Sequence, residues 1–248
     1  HTDPAWFAYN EPFSDPAELF VIPDHYLFRM LYSQGISLDD LGIPNADGKA
    51  PKKDPRRIWR ILAENWHLFR GTPSKMWLEH SLETAFGVTD RLNAKTADSI
   101  YDRIAQCLSS PEFRPRALFE RFNIEVIATT ESPLDPLDHH RALQKSGWHG
   151  RVVTAFRPDS VVDPEYIGFA ENIEQLGFLT KENTKTWKGY LTALAERRQY
   201  FKSFGATSTD HGHPTATTSN LSEAEASSLF QKALSGKITA DEAEIFRG

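Results

Sequence analysis

The chain has a single cysteine, Cys107, among 248 residues. One thiol cannot form an internal disulfide, so a disulfide scaffold is excluded and a reducing compartment is the simpler setting. No apolar run approaches the roughly 20 residues that a membrane-spanning helix needs. No signal-peptide pattern is visible, so a cytoplasmic protein without a membrane partner is expected. Positive charge is also short: 28 Lys and Arg stand against 34 Asp and Glu, a net charge of −6. That balance argues against nucleic acid and acidic membrane surfaces, which demand clustered positive charge.

What is present describes an ordinary globular protein, with 40% hydrophobic and 25% charged residues. The length suffices for one large domain or two small ones with a buried core. Residues 1–50 are rich in Pro, Asp and aromatics, with a helical island at DHYLFRMLYSQG. There Tyr26, Leu27, Met30 and Leu31 recur at i, i+4 spacing and Gly35 reads as a stop. PNADGKAPKKDP, residues 44–55, reads as an exposed loop or linker. Residues 56–118 are helical throughout. Ile58, Trp59, Leu62, Trp66 and Phe69 form one stripe, GTP at 71–73 breaks it, and Thr72 or Ser74 caps the next helix. Trp59, Trp66 and Trp77 read as packing residues, and His67 and His80 as packing or surface residues.

After Asn123 the period changes. IEVIATT (124–130) and RVVTAFRPD (151–159) read as strands, and GATSTDHGH as a third short one. Helical stretches separate them, including DHHRALQKSG, PEYIGFAENIEQLGF and KTWKGYLTALAERRQYFKSF. Crossovers of this length imply parallel pairing. Two further helices follow, with Ser222 and Thr239 as N-caps. The strands finish in Thr129-Thr130-Glu131, in Arg157 and in Asp210-His211. Strand C-termini of a parallel α/β fold open on one face, so Arg157 and Asp210 are expected to meet there. The plain alternative is that these residues only cap turns. His211 and His213 chelate a metal only if both point the same way on an extended segment.

DHYLFRMLYSQG, ENWHLFRGTPSKMWLEHSLETAFGV, FNIEVIATTESPLDPLDHH, FRPD and STDHG, in this order, resemble the uronate isomerase family of the amidohydrolase superfamily. The resemblance implies an α/β chain that is part of a (β/α)8 TIM-type barrel. Residues 1–50 would hold the end of the first strand and an active-site loop and helix, 51–118 an all-helical insert, and 119–248 parallel βα units. It implies an aldose–ketose isomerisation of hexuronates, D-glucuronate to D-fructuronate and D-galacturonate to D-tagaturonate, through an enediol.

On that resemblance Tyr26 is the candidate proton shuttle, with His25 its polar partner. Arg157 would hold the substrate carboxylate, and Asp210 would act in the hydroxyl and proton network. His1 would be the second histidine of a His-x-His motif for a divalent metal, zinc by the preference of imidazole. His211 is then a neighbour of Asp210 and His213 a bystander, and His139-His140 a structural pair. A homo-oligomer remains compatible.

The chain begins at His1-Thr2-Asp3 without Met and stops before the family's later strands. It therefore reads as part of a longer polypeptide, expected to be inactive alone. A metal-dependent hydrolase on the same barrel and a non-enzymatic helical interaction module are the alternative readings.

Overall fold

The computed structural model describes residues 2–44 and 54–248. His1 and most of the 44–55 loop lie outside the described residues. The chain divides into two compact units, one of residues 9–124 and one of residues 2–8 with 125–248.

The first unit is helical, with helices His25–Ser33, Pro55–Glu64, Pro73–Phe86, Ala97–Leu108 and Pro115–Arg121. Their starts are encoded locally. Asp24, Asp54 and Thr72 accept hydrogen bonds from the first-turn N–H groups, and Pro55 and Pro73 occupy positions where no N–H partner is needed. The stripe Ile58, Trp59, Leu62, Trp66 and Phe69 is buried, together with Ile104 and Cys107. Trp59 is buried with its polar atom satisfied, since Nε1 donates to the Ala97 carbonyl at 3.0 Å.

One sequence expectation fails in this unit. Trp77 is 60% exposed, because the helix Pro73–Phe86 buries the face of Leu78, Leu82, Ala85 and Phe86. In the helix His25–Ser33, Leu27 and Leu31 turn inward and Tyr26 is 64% exposed.

The second unit is built on a parallel pair, β1 (Val126–Glu131) and β2 (Arg151–Phe156). They run in register from Val126 opposite Arg151 to Glu131 opposite Phe156. The helix Asp138–Lys145 makes the crossover. The expected third strand is reduced to one parallel bridge, Phe156 with Thr209. Phe156 N donates to Ser208 O at 3.1 Å, and Asp210 N to Phe156 O at 3.0 Å. Beyond that point the ladder stops, because the Gly212 N–H turns to a carboxylate instead. Helices Phe169–Thr180, Trp187–Ser203 and Glu223–Leu234 supply Ile173, Leu176, Tyr190, Phe201 and Phe230 to a second core around Phe156. Ser222 and Thr239 close capping boxes with Glu225 and Glu242, as their spacing predicts.

Two buried polar groups tie this unit together. His140 is buried, with Nε2 at 3.0 Å from Thr129 Oγ1. Burial pushes its pKa down, outweighing the opposite pull of Glu131 and Asp135. The native state thus favours neutral imidazole. His140 contributes fully above its ordinary pKa of 6.5, and that contribution is lost as pH falls below it. Urea midpoints at pH 7.5 and 5.5 should therefore diverge in the wild type and diverge less in His140→Gln; equal pH slopes would contradict this role.

The Arg247 side chain, 7% exposed, reaches Asp163 at 2.8 Å, Glu165 at 2.6 Å and Glu244 at 3.0 Å. Arg247→Met should cost about 1–3 kcal/mol of unfolding free energy, since it strands carboxylates that are partly out of water. Denaturant titration checks the value.

Candidate functional site

The end of β2 gathers polar side chains. Arg157 N extends the parallel ladder by donating to Glu131 O at 3.0 Å. Pro158 then starts a short helix, Asp159–Val162. Arg157 Nε donates to Asp159 Oδ2 at 2.8 Å, and Nη1 lies 3.2 Å from Asp210 Oδ2. Gly212 N sits 3.0 Å from both Asp159 oxygens. A Cβ at Gly212 would stand 2.8 Å from Arg157 Nη2 and 2.9 Å from Asp159 Oδ2, so glycine permits this close approach.

The electrostatics follow from this geometry. Burial alone would raise the pKa of Asp159, whose side chain is 17% exposed. The Arg157 guanidinium and the Gly212 N–H outweigh that and hold the carboxyl below its ordinary range. Arg157 remains 40% exposed.

The loop after β1 is fixed from beneath. Arg197, buried, donates from Nε to Pro133 O at 2.6 Å and from Nη2 to Asp135 O at 2.8 Å. Ser132 Oγ meets Ser160 Oγ at 2.9 Å, linking this loop to the turn that carries Arg157 and Asp159.

Asp159, His211 and His213 each offer one ligand atom, and these atoms lie within 4.8 Å of one another. The two imidazole rings are 5.1 Å apart, edge to face. Nε2 of His213 is buried and has no hydrogen-bond partner among the described residues. The sequence reading set His213 aside as a bystander and gave Asp159 no role. The structure gathers both with His211.

Of the other expected residues, Arg157 and Asp210 are brought together as the strand ends imply. His25 and Tyr26 are neighbours in the first unit, at the N-terminus of the helix His25–Ser33, with ring centroids 4.2 Å apart. Asp24 fixes that turn by accepting from Tyr26 N at 2.8 Å and Leu27 N at 3.3 Å. His1 lies outside the described residues.

Comparison with known proteins gives one consistent answer. The family model described as glucuronate isomerase matches residues 1–248. The chain is 59% identical over 247 residues to a uronate isomerase of Xanthomonas oryzae pv. oryzae (strain MAFF 311018), covering 100% of this chain and 52% of that protein. It is 55% identical to a uronate isomerase of Rhizobium meliloti (strain 1021), covering 100% of this chain and 53% of the relative. The crystal structure of glucuronate isomerase from Caulobacter crescentus superposes with a TM-score of 0.94 at 51% identity, covering 100% of this chain and 51% of that one. A uronate isomerase structure from Thermotoga maritima gives 0.88 at 27% identity, covering 100% and 53%. The chain spans about half the length of the curated relatives it matches. With a family match that runs from the first residue to the last, and relatives this similar along all of that length, the chain belongs to the glucuronate isomerase family.

Proposed function

We propose that this chain contributes the carboxylate-binding part of an aldose–ketose isomerase acting on hexuronates. The observation that carries the reading is the Arg157 fork. It is fixed by Asp159 and Asp210 at the C-terminal end of β2 and stays 40% exposed, and a guanidinium is the side chain suited to a planar carboxylate. The parallel pair with its bridge at Thr209 supports reading residues 119–248 as βα units of a (β/α)8 barrel, with 51–118 as a helical insert. The lone, buried Cys107 supports a cytoplasmic setting.

In the proposed reaction a base takes the C2 proton of the open-chain aldehyde. The C–H electron pair becomes the C1–C2 double bond of an enediol as O1 is protonated. A proton then returns at C1 while the C2 hydroxyl loses its own, leaving the ketone. Tyr26, paired with His25, is the proposed carrier at C2, and its exposure leaves the phenol accessible. Asp210, anchored by its backbone to Phe156 and by its side chain to Arg157, is suited to hold a substrate hydroxyl.

The resemblance also brings a divalent ion, zinc, whose chemistry is to polarise a carbonyl oxygen. It attaches that ion to His1, outside the described residues. A metal-dependent hydrolase remains the second reading, favoured by the two imidazoles and one carboxylate gathered at residues 159, 211 and 213.

The test is turnover of D-glucuronate by a full-length protein carrying this segment, with the ketose product followed directly. Arg157→Lys should raise KM about tenfold or more, because a point charge replaces a bidentate fork worth roughly 1.5–3 kcal/mol. Gly212→Ala should act in the same direction more weakly, by pushing Arg157 Nη2 aside. The 248-residue chain alone should give no turnover. An unchanged KM in Arg157→Lys would overturn the carboxylate role, and a cleaved product would favour the hydrolase.

A further inference from the structure

The segment Asp210-His211-Gly212-His213 contributes one residue, Asp210, to the reading above and leaves two imidazoles unused. Their placement is not casual. Gly212 N is pinned to both oxygens of Asp159, which sets the flanking rings around that carboxylate. Residues two apart on an extended segment point to the same side. The three ligand atoms fall within 4.8 Å of one another. The buried Nε2 of His213 finds no hydrogen-bond partner among the described residues. Leaving such a nitrogen unsatisfied is costly, and a cation would satisfy it.

The carboxylate is already oriented by outer partners, Arg157 Nε at 2.8 Å and Gly212 N at 3.0 Å, as metal-ligating carboxylates are. Each accepted bond still leaves lone pairs on an ionised carboxylate. Two imidazoles and one carboxylate form the donor set of an open zinc-type site. Calcium and magnesium, which take six or more oxygen ligands including water, are poorly served by it.

We propose that Asp159, His211 and His213 bind one divalent transition-metal ion of the zinc class, its fourth position left to water or a ligand oxygen. These three residues are none of those that the resemblance gives to a metal, and the proposal does not rest on the isomerase reading. Arg157 competes for the same carboxylate and lowers the affinity, so the ion is exchangeable.

The experiment uses the chelator-stripped 248-residue chain titrated with Co2+, read by visible ligand-field absorption, and with Zn2+ in equilibrium dialysis. The expected result is one equivalent bound at this site, with the intense absorption of a four-coordinate ion and no displacement by excess Mg2+. His211→Ala, whose side chain is exposed and whose loss should spare the fold, should weaken binding at least tenfold, and His213→Ala likewise. His1→Ala should keep that equivalent and its spectrum. Wild-type affinity in His211→Ala, loss of the band in His1→Ala, or no binding at all would each overturn the assignment.

Discussion

The arrangement at the end of β2 depends on one carboxylate. Asp159 collects Arg157 Nε from its own turn and Gly212 N from 53 residues further along. Hydrogen bonds to a charged group are worth roughly 1.5–3 kcal/mol each, enough to outweigh the partial desolvation of this side chain. Asp159 is the link between the strand that carries Arg157 and the segment that carries Asp210, His211 and His213. The backbone ladder delivers the second segment only as far as Thr209, through a single bridge. Past it, the side chain of Asp159 takes the place of a strand partner.

That division of labour explains which features were legible in the sequence. Helix starts are local: Thr72, Ser222 and Thr239 are capping residues within three positions of the N–H groups they bind, and the sequence shows both partners. The five-residue helix Pro16–Phe20 left no periodic signal; Asp15 caps it and Pro16 opens it. The parallel pair was visible because β-branched runs separated by a helical stretch admit few topologies. The meeting of Arg157 with Asp210 was visible for the same reason, since strand ends of a parallel sheet share a face.

What the sequence concealed depends on contacts distant in the chain. Nothing in the run Phe156 to Asp159 announces that Gly212 will bind its aspartate. His213 passed for a bystander because its use requires knowing which way two rings face. Trp77 was misjudged for a related reason. Periodicity shows that a helix has an apolar face but does not fix its rotation when an aromatic residue flanks the stripe, as around Leu78 with Leu82.

The two proposed roles of this region are coupled through charge. With the site metal-free, two carboxylates face one guanidinium, so the local balance is one negative charge, a poor reception for a sugar acid. A divalent ion on Asp159 and two neutral imidazoles reverses that balance to one positive charge. At a separation of a few ångströms, in surroundings less polar than water, such a reversal changes anion affinity appreciably. Linkage then requires the converse, that an anion on Arg157 tightens the hold on the ion by the same factor. Asp210, bonded to Arg157 but outside the proposed metal-ligand trio, would keep the guanidinium in place when the ion draws on Asp159, which gives a physical reason for a second carboxylate beside the proposed anion site.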